Sequence, residues 1–159
     1  MTAEEKITCC FTGHRVLSRE ELLHINRSLR EVVRQRIEEG YSCFAAGGAR
    51  GFDTAAALTV LEMKRIYPHI RLRLILPCKN QSKVWNQREK ETYQRILTQA
   101  DQVDYIWEEY LPGCFQARNR ALVEASSCCI CYLRSGSGGT EFTVSRAKEK
   151  GIPIYNLAL

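Results

Sequence analysis

The sequence predicts an α/β three-layer sandwich built on a mostly parallel sheet of about six strands. Three observations carry this expectation. Short apolar runs alternate with longer amphipathic segments along the chain, which is the pattern of successive βα units. Most of the short runs are nearly continuous in apolar residues, as strands are when helices cover both faces of their sheet. Glycine-rich turns follow three of the runs, at the points where such a fold passes from strand to helix. With 159 residues, 45% of them apolar and 26% charged, the chain is expected to form a single domain over residues 1–159 with a full core.

The strands are read at Ile7 to Thr12, Tyr41 to Ala46, Ile70 to Leu76, Gln102 to Trp107, Cys128 to Leu133 and Ile152 to Asn156. Between the first two, Ser18-x-x-Glu21 supplies a capping box. After it, Leu22, Ile25, Leu29, Val32, Val33, Arg36 and Ile37 keep helical spacing until Gly40. Further helices are read from about Asp53 to Arg65, Val84 to Ala100, Phe115 to Ala125 and Thr140 to Lys150. The expected strand order runs third, second, first, fourth, fifth, with the sixth outermost, so that the first and fourth strands flank the crevice.

Composition excludes several classes. No apolar stretch approaches the ~20 residues of a membrane helix. The polar start, Met1 to Lys6, carries no apolar signal segment, so a cytoplasmic location is expected. Of the eight cysteines, Cys9, Cys10, Cys43, Cys128, Cys129 and Cys131 lie inside apolar runs and are read as free buried thiols. Alternation puts Cys129 and Cys131 on one face of their strand and Cys128 on the other, so no metal site is expected. The net charge of +5 is spread along the chain and favours anionic partners only weakly.

In open α/β sheets ligands bind beyond the carboxyl ends of the strands. Three segments stand there: Thr12-Gly13-His14-Arg15, Gly47-Gly48-Ala49-Arg50-Gly51-Phe52-Asp53, and Ser135-Gly136-Ser137-Gly138-Gly139-Thr140-Glu141. Glycine lets backbone approach a ligand closely, and the helix that follows offers unpaired amides and the positive end of its dipole. Three such turns on one sheet edge point to a pocket for an anion or nucleotide. Neither Gly-x-x-x-x-Gly-Lys-Ser/Thr nor Gly-x-Gly-x-x-Gly after the first strand is present, which counts against P-loop hydrolysis and dinucleotide-dependent hydride transfer.

These segments, together with Gln81 and Trp85, Arg118-Asn119-Arg120 and Gly138-Gly139-Thr140, resemble the YpsA-like family of the SLOG superfamily. The superfamily also holds the Lonely Guy phosphoribohydrolases and the Rossmann domain of the DNA-processing protein A group. The resemblance covers nearly the whole chain. It implies a Rossmann-like fold, a nucleotide or nucleotide-derived ligand, and a homodimer. It implies no cofactor.

His14 and Arg15 follow a strand end and can face the pocket, where Arg would clamp phosphate and His donate or relay a proton; the alternative is an exposed loop pair. Asp53 is either a first-turn or N-cap acid or an acceptor for a ribose hydroxyl. Arg118 and Asn119 are read as phosphate or base contacts against surface salt bridging, with Arg120 pointing elsewhere. Trp85 and Gln81 would stack on a base and read its edge, or else pack against a helix. Tyr93, Trp107 and Tyr110 are read as core or rim. Glu141 is the catalytic candidate. In Lonely Guy enzymes the glutamate stands three residues beyond the threonine, a position occupied here by Thr143, and adjacent helical residues point about 100° apart.

Three functions compete: a nucleotide-binding sensor or regulatory module, an N-glycoside hydrolase of nucleoside monophosphates using Glu141 or Asp53, and single-stranded nucleic-acid binding. The last is the weakest on sequence, because basic and aromatic residues do not interleave along any one segment.

Overall fold

A computed structural model describes residues 1–135 and 138–158. Helix α1 (Ala3–Lys6) precedes strand β1 (Thr8–Gly13). There follow α2 (Arg19–Glu38), β2 (Cys43–Ala46), α3 (Phe52–Lys64), β3 (Arg71–Leu76), α4 (Gln87–Gln99), β4 (Gln102–Tyr105), α5 (Cys114–Glu124), β5 (Cys128–Tyr132), α6 (Gly139–Lys150) and β6 (Ile154–Asn156). All neighbouring strands are parallel, so the fold is a Rossmann-like α/β sandwich.

The strand order is β4-β3-β2-β1-β5-β6. This corrects the expected order: β5, not β4, lies beside β1, and β4 sits at the far edge beside β3. Helix placement gives the reason. A right-twisted crossover packs back on its sheet with one handedness, so successive steps in one direction stack their helices on one face. Ile25, Leu29 and Val33 of α2, Phe52 and Val60 of α3 and Ile96 of α4 share a core with Phe11, Phe44, Leu72, Leu74 and Ile130. Leu122 and Val123 of α5 and Val144 and Ala147 of α6 fill a second core on the opposite face, against Cys10, Ala45, Ile75, Cys129 and Cys131. Three steps therefore run outward from β1, and α5 alone carries the chain back across to β5. The direction reverses between β1 and β5, which opens the crevice there. Cys128 belongs to the first core, as alternation requires, and all eight cysteines are buried. Among the described residues no helix is long and apolar enough to cross a membrane.

Local signals set the element ends. Ser18 Oγ accepts from Glu21 N at 3.1 Å and Glu21 Oε1 accepts from Ser18 N at 2.9 Å, the predicted capping box. The fourth helix begins at Gln87, not Val84, because Asn86 and Glu89 form a second box with bonds of 2.9 and 3.0 Å. A third, Thr2 with Glu5, starts α1 inside the stretch read as merely polar. The strands are shorter than read at one end by one or two residues, apart from β1, which shifts by one.

One close approach fixes the entry to the crevice. Phe52, at the start of α3, is fully buried against Phe11 and Tyr132, at ring distances of 6.4 and 6.3 Å. A Cβ on Gly13 would lie 2.3 Å from Phe52 Cγ. Gly13→Ala should therefore cost on the order of 2 kcal/mol through forced repacking. In a chain of this length that is a fall of about 4–8 °C in melting temperature, measured by calorimetry. An unchanged melting temperature would mean that the Phe52 ring is free to move away.

Candidate functional site

The loops that leave β1, β2 and β5 and the first turns of α5 converge on a cavity of about 360 Å³ at the β1–β5 switch point. Thr12, Gly13, His14 and Arg15 come from β1 and its loop, Ala49 and Asp53 from the turn into α3, and Arg118 and Asn119 from α5. Arg134 and Gly138 come from the segment between β5 and α6, and Gly139 and Thr140 from the first turn of α6.

Arg118 is buried, 4% exposed, which rules out a surface salt bridge. Its Nη1 donates to Gly47 O at 2.5 Å and its Nε to Asn119 Oδ1 at 2.7 Å. Asn119 Nδ2 in turn donates to Gly139 O at 3.5 Å. One side-chain relay thus links the β2 turn, α5 and the start of α6. Gly138 holds the N-cap position of α6 at φ 90° and has no side chain to cap the helix. The first amides of a twelve-residue helix are therefore turned to the cavity with their dipole.

Asp53 stands in the first turn of α3, behind the N-cap Gly51, whose Cβ would fall 2.4 Å from Arg15 O. Its Oδ2 accepts from Ala49 N at 3.2 Å, while its Oδ1 is buried without a partner. Burial pushes its carboxyl up from 3.8 to about 6, against the pull of the Arg118 charge. The same burial lowers Arg118, whose proton affinity Asp53 partly restores.

His14 Nε2 accepts the Arg134 amide proton at 3.0 Å, so the ring is neutral with its proton on Nδ1. Burial and the Arg134 charge lower its pKa, which agrees with that state. The side chain ties the β1 loop to the β5 loop. Arg134 adds two further ties, donating from Nη2 to Val16 O at 3.0 Å and from Nη1 to Glu21 at 3.3 Å. Arg15 lies over the Phe115 ring, its Cζ 5.0 Å from the centroid.

Other predicted residues stand outside this cavity. Gly47 and Gly48 lend their carbonyls to Arg118 and to Gln81 Nε2, the latter at 3.3 Å. Gln81 also donates to Tyr93 Oη at 3.0 Å, and Trp85 meets the Tyr93 ring edge-on at 5.1 Å. Both residues, with Arg15, Ala49 and Phe115, line a smaller adjoining space of about 110 Å³. Glu141 is not on the main cavity wall, and its Oε1 accepts from Ser145 Oγ at 3.2 Å. Thr143 is fully buried and donates to Gly139 O at 2.8 Å. Tyr93 is core, Tyr110 is rim, and exposed Arg120 lies over Phe142, 5.3 Å from its centroid. Gly136 and Ser137 lie outside the described residues.

Sequence reading missed Phe115 and Arg134. Arg134 follows β5 by two residues and obeys the same strand-end rule that picked out Arg15. Phe115 carries no signal beyond its place one helical turn before Arg118.

Comparison with known proteins agrees with this fold. The YpsA family model, described as the YspA SLOG family, matches residues 11–156. A UPF0398 protein of Bacillus thuringiensis strain Al Hakam is 30% identical over 130 residues, covering 80% of this chain and 71% of the relative. A UPF0398 protein of Brevibacillus brevis is 28% identical over 129 residues, covering 79% and 69%. Among solved structures, DNA processing protein A of Helicobacter pylori, described for its single-stranded DNA binding mode, superposes with a TM-score of 0.69 at 20% identity. That match covers 93% of this chain and 63% of the neighbour. DNA processing protein A of Streptococcus pneumoniae gives 0.64 at 20% identity, over 92% of this chain and 48% of the neighbour. At these identities the structural neighbours share the fold alone, and this chain spans about half to two thirds of their length. The match along nearly all of the strands, helices and glycine turns just described means that the chain belongs to the YpsA family of SLOG proteins.

Proposed function

We propose that the protein binds a nucleotide-type ligand by its phosphate in the β1–β5 cavity and acts as a sensor or regulatory module. The observation that carries this reading is the convergence of three guanidinium groups, Arg15, Arg118 and Arg134, and the open start of α6 on one cavity whose wall holds a single carboxylate, Asp53. The volume of about 360 Å³ is near the lower end of the ~300–1,000 Å³ usual for small-molecule sites, which suits a mononucleotide. Asp53 lines the cavity and keeps a buried Oδ1 without a partner, which supports a role for it in accepting a ligand hydroxyl such as a ribose offers.

A nucleoside monophosphate at about a hundred times its Kd should stabilise the fold by about 2.7 kcal/mol, or roughly 5–10 °C in melting temperature. Arg134→Gln should weaken that ligand on the order of tenfold by removing one charge-assisted contact. A panel of nucleotides in a thermal-shift assay checks both, and no shift for any member counts against the reading.

One observation favours a second reading, N-glycoside hydrolysis: a carboxyl that titrates near neutrality inside the cavity suits acid–base work. That reading requires release of free base from a nucleoside monophosphate, abolished in Asp53→Asn.

Asp53 also makes a prediction about pH that needs no ligand. Its folded pKa of about 6 lies above its ordinary 3.8, so the folded state holds the proton more tightly than the unfolded chain. The resulting stability is full below about pH 4 and is lost as pH rises through about 6. The wild type should lose up to about 3 kcal/mol across that window relative to Asp53→Asn, at 1.36 kcal/mol per unit. Urea unfolding of both proteins at several pH values measures the difference, and parallel curves would show that Asp53 is solvated.

A further inference from the structure

The β1–β5 cavity does not end at Arg15. It shares Arg15, Ala49 and Phe115 with the smaller space that Gln81, Val84 and Trp85 line. That space shares Arg50 and Trp85 with a third, of about 330 Å³, walled by Leu22 and Asn26 of α2, Thr54 and Leu58 of α3, and Arg88 of α4. The three form one track from the crevice onto the helical face. Along it five arginines, Arg134, Arg118, Arg15, Arg50 and Arg88, line the walls with two carboxylates, Asp53 and Glu89, while Arg134 is also paired with Glu21 at 3.3 Å. Glu89 is engaged as the cap of α4 and lies 3.8 Å from Arg50.

Cations and aromatic rings also interleave here. Arg118 and Arg15 stand 5.6 and 5.0 Å from the Phe115 centroid, and Arg50 stands 5.4 Å from that of Trp85. No single segment of the sequence shows such a run, because the loops after β1, β2 and β3 and the start of α5 each contribute one or two of its members. Val84, 85% exposed, leaves the middle of the track open to solvent. Paired guanidinium and aromatic groups are what single-stranded nucleic acid needs: bases stack on the rings and phosphates take the cations.

We propose that this track binds a short single-stranded nucleic acid, with one phosphate in the β1–β5 cavity and successive bases at Phe115 and Trp85. The proposal rests on the phosphate-binding reading of that cavity. A mononucleotide fills only its first part, whereas each added nucleotide reaches a further ring and a further arginine.

The experiment compares thymidine monophosphate with its dinucleotide and tetranucleotide, using the full chain with Trp107→Phe so that Trp85 alone reports by fluorescence. The tetranucleotide is expected to bind at least tenfold more tightly than the monophosphate, to quench Trp85, and to show a steeper salt dependence, its slope growing by about 0.7 for each phosphate neutralised. Trp85→Leu should remove roughly 5- to 100-fold of the tetranucleotide affinity and leave the monophosphate unchanged. Arg88→Glu, an exposed change at a helix start that favours acid, should act the same way without touching the core. If the monophosphate binds and the longer strands bind no better, the track is overturned and the phosphate cavity stands. If neither binds, both readings fall. Tetranucleotide binding that is insensitive to Trp85→Leu and Arg88→Glu, or matched by a glutamate peptide of equal charge, also overturns the track.

Discussion

The buried guanidinium of Arg118 is the constraint on which the crevice depends. A charge removed from water is costly unless it is paired or fully hydrogen-bonded. Among the described residues Arg118 has no carboxylate within salt-bridge distance; it answers with Gly47 O and Asn119 Oδ1. The first bond holds the β2 turn against α5, the second fixes the Asn119 amide within α5, and Asn119 carries the tie on to the first residue of α6. The turn that leads into α3 on one face of the sheet is thereby tied to α5 and α6 on the other. Asp53 completes the arrangement at a distance: near enough to feel the Arg118 charge, yet left with one unpartnered oxygen. Opposite charges kept apart in a low-dielectric cleft form a polarised site, which suits a ligand carrying both an anion and a hydroxyl.

Much of this was legible in the sequence because the signals were local. The near-continuous apolar runs marked the parallel strands, Ser18 and Glu21 marked the start of α2, and the strand-end rule found Gly13, His14, Arg15, Asp53 and the glycines before α6. Strand order was not legible. It depends on which face α4 chooses, and the amphipathic pattern of Tyr93 and Ile96 reads the same on either face. The second capping box, Asn86 with Glu89, was present in the sequence but masked by the apolar pair Val84 and Trp85 just before it. The interleaving of Phe115 and Trp85 with arginines is a property of the folded edge alone, since residues up to about a hundred positions apart supply it.

Several residues turned out to hold the site together more than to face it. His14 accepts a backbone proton from Arg134, which fixes its tautomer and leaves Nδ1 as its remaining donor. Gln81 spends its amide on Gly48 and Tyr93. Thr143 closes a bond within α6 where Lonely Guy enzymes have their acid. The residues that directly follow β1 and β5 are thus joined through His14, Arg134 and Glu21.

The cysteines at the centre of the sheet have a consequence for how the protein can be studied. Cys9 pairs in register with Cys128 and Cys10 with Cys129 across the β1–β5 seam, and these thiols, like the other four, are buried. A thiol reagent cannot reach them while the seam is closed. The rate at which they become alkylated under native conditions therefore clocks the opening of the very junction that forms the crevice. A molecule that bridges β1 and β5 should slow that clock, so the chain carries its own reporter for whatever occupies the edge above it.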